Sequence, residues 1–174
     1  KTLGADKVDY SVDGTGVDVA GYGAVVMVAA EKPYAEGAGD IPFPASIAHS
    51  NRYPEDLAAL KRVSGKGVPV ITLLFSGRPV GANDLINRSD AFVAAWLPGT
   101  EGLGLADMLV GGPDGRPRYD FTGRLPFDWP AGDCLPRSGG IQFRRGYGLS
   151  LEKPSGGAPL PEANPVMACP AESR

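Results

Sequence analysis

A single histidine and two cysteines leave this chain poor in soft ligands. Cys134 and Cys169 stand far apart with no CxxC or Cys/His spacing, so the sequence indicates neither a structural zinc site nor a redox pair, and a disulfide between them stays open. His49 has no Ser or Cys partner in a recognisable motif and no second His, which argues against a catalytic triad and against a metal. It is expected as a loop residue near the mouth of a pocket, and no cofactor is expected. Charge of one sign is also lacking: the formal net charge is −3 with no long run of either sign, so the footprint for nucleic acid or an anionic membrane is missing. The longest apolar stretches, residues 24–30 and 68–75, fall short of the roughly 20 needed to span a bilayer. Neither a GxGxxG turn after a strand nor a GxxxxGK[ST] loop is present, which removes the signature of a nucleotide-binding domain. Lys1-Thr2-Leu3-Gly4 carries no initiator Met and no signal segment, and is expected to open a mature, processed or excised chain.

What is plentiful is Gly, at 25 residues, and Pro, at 17, set between apolar runs rather than in a low-complexity tract. The runs are short and continuous: Ala24 to Ala29, Val68 to Phe75 and Ala91 to Leu97. Continuous runs separated by helical or loop segments predict an α/β domain whose mostly parallel sheet is buried on both faces. Pro69 fits only near the start of its strand. Pro54-Glu55-Asp56 predicts a helix start, with Lys61, Arg62 and Lys66 toward its end and Gly65 or Gly67 as its stop. Leu57, Leu60 and Val63 then share a face. A second helix is expected from Thr100 as N-cap, with Glu101 in its first turn and Leu105, Met108 and Leu109 inward, to Gly111-Gly112. Trp96 and Trp129 read as core aromatics. After about Leu151 periodicity stops, and residues 152–174 read as an extended tail or interdomain linker.

Open α/β sheets build ligand sites on the loops after their strands, which directs attention to residues 31–50, a long stretch with little periodicity. Glu31, Glu36 and Asp40 cluster there around a rigid Pro33-Tyr34 and two glycines. By pattern alone these carboxylates read first as solvated charges or backbone caps and second as an acid site. Glu36, between an aromatic residue and Gly37, is the candidate whose carboxyl partial burial in a shared cleft would turn into a general acid.

The stretch Glu31-Lys32-Pro33-Tyr34-Ala35-Glu36-Gly37-Ala38-Gly39-Asp40 resembles the GE-x-PY-[AT]-E-x-x-GD segment of family-3 glycoside hydrolases of the exo-β-glucanase and β-glucosidase type. Four further segments agree in order: Phe75 to Val80, Ser89 to Gly102, Thr122 to Pro130 and Arg145 to Leu149. The likeness runs from about Lys7 to Leu149. It departs at Ala30, where the family has Gly, and at Asp128, where Ser or Thr is usual.

The resemblance implies a partial (α/β)6-sandwich domain over residues 1–151 whose opening βα units lie outside the chain. It implies a barrel domain of the same enzyme as partner, bearing an Asp nucleophile, and a β-glucoside or β-glucan oligosaccharide as substrate. By position Glu36 is the acid/base, and the chain alone is expected to be incomplete and inactive. Glu31, beside the strand end, is expected to hold loop geometry or bind polar neighbours, Asp40 to anchor the loop or tune Glu36, and Arg78 to clamp its turn or, as the second reading, to pair with a carboxylate of the Glu36 loop. A periplasmic or extracellular location follows by analogy. A non-catalytic sugar-binding or structural fragment, and a β-xylosidase of the same family, remain as alternatives.

Overall fold

The computed structural model describes residues 3–42, 44–134, 140–155, 157–162 and 169. Its centre is a sheet of β1 (Val25–Ala30), β2 (Val70–Phe75) and β3 (Ala91–Trp96), in the order β1-β2-β3 and parallel throughout. These are the three runs marked in the sequence, with shifted edges. Pro69 stays outside β2 because it has no N–H to give a ladder, but its carbonyl accepts from Val25 N–H at 2.9 Å.

Between β1 and β2 lie a single turn, α1 (His49–Arg52), and α2 (Pro54–Val63). Pro54 opens α2, where its missing N–H costs nothing, and acidic and basic side chains sit at the favourable ends of the helix dipole. Leu60 and Val63 pack with Ala29, Val70 and Leu74. Burying Leu60 and Leu74, at 0% and 1% exposure, contributes about 1.5–3 kcal/mol each. A short α3 (Asn83–Ile86) adds Leu85 to the same core.

Only β2 is buried on both sides. On β1 the residues facing away from this core, Val26 and Val28, are 51% and 43% exposed, so the described residues cover only one face of that strand. The reason is geometric: Val25, Met27 and Ala29 point into the core with α2 and α3, and the alternate residues point to the other face.

The helix after β3 is shorter than the sequence predicts. α4 (Gly102–Leu109) starts with Glu101 in the N-cap position, where its side chain makes no capping bond. Thr100 Oγ1 donates to Glu101 Oε1 at 3.2 Å instead of capping the helix. Leu105, Met108 and Leu109 are half-buried. A small antiparallel pair, β4 (Trp129–Pro130) and β5 (Ile141–Phe143), completes the structure. Trp129 is a core residue, 4% exposed, with its indole N–H on the Val80 carbonyl at 3.1 Å. Trp96 is half-buried, edge-on to Phe127 with ring centroids 5.5 Å apart. Segments 122–130 and 145–149 meet through bonds from Leu125 N–H to the Tyr147 carbonyl and from Gly146 N–H to the Leu125 carbonyl.

In the tail, Asn87 grips Leu160 through both backbone groups, and Arg88 pairs with Glu162 at 2.8 Å. Cys134 and Cys169 form a disulfide. Residues 156, 163–168 and 170–174 of the expected tail lie outside the described residues. No helix among the described residues is long and apolar enough to cross a membrane.

Candidate active site

Parallel strands deliver their carboxyl ends to one edge of the sheet, and the candidate residues gather there. Glu31 follows the last residue of β1, and its N–H donates to the Phe75 carbonyl at 2.9 Å, extending the ladder by one bond. Its side chain is 1% exposed. A buried carboxylate demands donors, and several segments supply them. Arg52 Nη1, from α1, donates to Oε1 at 2.6 Å. Tyr34 Oη donates to Oε2 at 3.0 Å. Arg78 Nε stands 3.5 Å from the same oxygen. Ser76 Oγ lies 2.8 Å from Oε2 and 2.6 Å from the Arg78 carbonyl, with one hydroxyl hydrogen between two acceptors. Burial raises the Glu31 pKa, but the bonds from Ser76 and Tyr34, the Arg78 charge and the Arg52 bond outweigh it and hold the carboxyl below its ordinary range.

Tyr34 links this cluster to the loop. Its hydroxyl accepts from Arg78 Nε at 3.0 Å, and the guanidinium lies over its ring at 4.3 Å from the centroid. Gly39 and Gly77 flank it so closely that a Cβ on either would collide with the Tyr34 side chain. The chain between Tyr34 and Gly39 therefore wraps the ring as a single 3-10 turn, Glu36–Gly39.

Glu36 opens that turn at φ +48°, in the left-handed region that side chains with a Cβ rarely occupy. It is exposed, and its carboxyl has no hydrogen-bond or ion-pair partner among the described residues. The partial burial anticipated for it is not supplied by the described residues. Asp40 is exposed as well, and it closes the turn through its backbone, from its N–H to the Gly37 carbonyl at 3.1 Å.

Other expected residues stand elsewhere. His49 is not at a pocket mouth: it lies on α1, 1% exposed, with Nε2 2.7 Å from Asp56 Oδ2. Asp56, placed by sequence at a helix start, also accepts from the Ala30 N–H at 3.0 Å, and Tyr53 Oη accepts from the Lys32 N–H at 3.2 Å. These bonds fix the entrance of the loop. Arg52, Ser76, Tyr53 and Asp56 escaped sequence reasoning because each meets the loop only through the fold. Ser76-Gly77-Arg78 did carry a signal, as a turn directly after a strand.

A groove of about 280 Å³ is lined by Arg78, Pro79, Asp128, Pro130, Gly140 and Ile141, and Glu36 is not among them. No group of three or more His, Cys, Asp and Glu side chains among the described residues is arranged to hold a metal ion. What the geometry offers is an exposed Glu36 carboxyl at the head of a strained turn, whose Tyr34 is held by a buried carboxylate between two arginines.

Residues 11–151 match the model of the glycosyl hydrolase family 3 C-terminal domain. A lysosomal beta glucosidase of Dictyostelium discoideum is 33% identical over 61% of this chain and 12% of its own length. A periplasmic beta-glucosidase of Salmonella typhimurium is 33% identical over 43% of this chain and 9% of its own. An exo-1,3/1,4-beta-glucanase from a Pseudoalteromonas species superposes with a TM-score of 0.73 at 36% identity, covering 90% of this chain and 19% of that one. A mutant of the same glucanase gives a TM-score of 0.75 at 37% identity, covering 86% of this chain and 24% of that one. The chain thus spans a quarter or less of each of these relatives.

Proposed function

Because the chain belongs to glycosyl hydrolase family 3, through that family's C-terminal domain, we propose that it is the acid/base-donating part of a retaining, exo-acting β-glucosidase or β-glucanase. Its substrate is a terminal β-D-glucosyl residue of a β-glucoside or β-glucan oligosaccharide. Glu36 protonates the leaving glycosidic oxygen while an Asp on a barrel domain, outside this chain, attacks the anomeric carbon. The resulting Glu36 carboxylate then takes a proton from the water that releases the sugar. Retention needs the two carboxyls about 5–5.5 Å apart, a separation that two domains facing each other can set.

The observation that carries this reading is the Glu36 carboxyl itself: exposed, unpartnered among the described residues, and presented at positive φ from a braced turn. A general acid works best with a pKa raised toward the working pH, and burial is the usual means. Among the described residues Glu36 is left exposed, so in this reading its burial comes from the barrel surface that closes over it, and the sugar pocket lies at that interface. The Cys134–Cys169 disulfide supports an oxidising compartment, periplasmic or extracellular.

Kinetics of Glu36→Gln in the full-length enzyme test the proposal. Loss of a general acid should lower turnover of a β-glucoside with a poor alkyl leaving group by about 10²–10⁴-fold, and that of a dinitrophenyl β-glucoside far less in its first step. Azide should partly restore the second step. Equal small losses on both substrates would remove Glu36 from the role.

A further inference from the structure

The Glu36 carboxyl has no hydrogen-bond or ion-pair partner among the described residues, so its place is set by its backbone, and that backbone is held at two points on one ring. Before Glu36 stands Tyr34 itself; after it stands Gly39, pressed against the same Tyr34 ring. Bonds from Ala38 N–H to the Ala35 carbonyl at 3.2 Å and from Asp40 N–H to the Gly37 carbonyl at 3.1 Å keep the turn between them closed. The ring in turn is fixed at its far end, where Tyr34 Oη both donates to Glu31 Oε2 and accepts from Arg78 Nε, each at 3.0 Å.

We propose that Glu31 is the positioning residue of this loop: through the Tyr34 hydroxyl, its buried carboxylate fixes the ring around which the Glu36 turn is wound, and so sets where Glu36 meets the scissile bond. With its side chain 1% exposed, Glu31 reaches no substrate. Two features separate this role from that of a plain buried ion pair. The Glu31 carboxylate bonds Arg52 of α1 and Ser76 after β2 as well as Tyr34, so the post that holds the ring is tied to separate elements of the fold. The ring is also walled by Gly39, Gly77 and the Arg78 guanidinium, which leaves it little freedom to drift unless its hydroxyl is released. A shift of the acid by about 1 Å can cost a factor of roughly 10², so rigidity at this post is kinetically valuable.

The inference rests on the reading of Glu36 as the acid/base, and the test keeps the two apart. In the full-length hydrolase, kcat and KM are measured for Tyr34→Phe, Glu31→Gln, the double variant and Glu36→Gln, on an alkyl β-glucoside and a dinitrophenyl β-glucoside, alongside thermal unfolding. Tyr34→Phe deletes only the hydroxyl. It should lower kcat on the alkyl glucoside about 10-fold or more, within the span expected for a misplaced group, with KM and the dinitrophenyl rate nearly unchanged. Glu31→Gln should act in the same direction and further, and adding Tyr34→Phe to it should cost little more, since both changes act on the one Tyr34–Glu31 bond, which a neutral amide accepts more weakly than a carboxylate. A lowered melting temperature with equal rates on both substrates, or fully additive losses, would overturn the positioning role while leaving Glu36 untouched. If Glu36→Gln itself lacks the leaving-group dependence, the acid/base reading fails and this inference fails with it. Should Glu31→Gln not fold, Tyr34→Phe alone decides.

Discussion

Glu31 and Asp133 are both carboxylates drawn out of solvent, and their surroundings move them in opposite directions. At Glu31 the gathered donors outweigh burial, so the folded protein holds it ionised below its ordinary value of 4.5. Its contribution to stability is present above that value and is lost as pH falls through the depressed one. At Asp133, burial and then the charge of Asp84 raise the pKa from 3.8. The folded state binds this proton more tightly than the unfolded chain, so its contribution is full below 3.8 and is lost as pH rises through the raised value. Asp133→Asn keeps the shape and removes the charge. It should therefore raise the melting temperature of the full-length protein at neutral pH, with the advantage shrinking to nothing in acid. A thermal-unfolding series across pH checks this, and a variant no more stable at neutral pH would contradict it. Residue chemistry of this kind was half legible in the sequence. The cluster of Glu31, Tyr34, Glu36 and Asp40 sits in one stretch with its motif, whereas Arg52, Ser76 and the Asp56–His49 pair matter only once folding brings them to the strand end.

Among the elements, the strands were legible because β1, β2 and β3 are short continuous apolar runs, and α2 because Pro54 and its flanking charges mark both ends. Their covering was not. An apolar residue reads the same whether its face meets a helix or water, so Val26 and Val28 looked like core residues, yet they are 51% and 43% exposed here. The limits of α4 were missed for a related reason. Thr100 and Glu101 bond each other rather than the helix terminus, a choice that residue type does not reveal. A parallel sheet with apolar side chains on both faces calls for a second layer, and the expectation is that in the full-length protein such a layer covers Val26 and Val28. Val28→Thr tests this, since it exchanges a methyl for a hydroxyl at nearly constant shape. Under a covering layer it should cost about 1–3 kcal/mol, the penalty for burying an unpaired polar group, against roughly ±0.5 kcal/mol for a surface substitution. Urea unfolding of the full-length protein distinguishes the two, and the smaller value would mean the face stays open.

At the scale of the whole chain, the end returns to the middle. Cys169, joined to Cys134, donates its N–H to the Pro44 carbonyl, and the neighbouring Asp133 carbonyl accepts from Ile47 N–H at 2.7 Å. Cysteine spacing could not settle this disulfide, because what decides it is a Cα separation of 5.6 Å that only the fold creates. The bridge braces residues 44–47, between the Glu36 turn and the α1 arginine that pairs with Glu31. Two consequences are then separable. As a cross-link it limits the unfolded chain, so Cys134→Ser with Cys169→Ser should lower stability by about 2–4 kcal/mol, seen as a fall in urea midpoint that reducing agent reproduces in the parent protein. As a brace it is redundant for the proposed acid/base, because Glu31 is already held from β1, α1 and the end of β2 without it. The ratio of rates on alkyl and dinitrophenyl glucosides should therefore be unchanged in the double variant at temperatures where it is folded. A changed ratio at full folding would mean that the tail helps to set the Glu36 turn, and the site would extend to the far end of the chain.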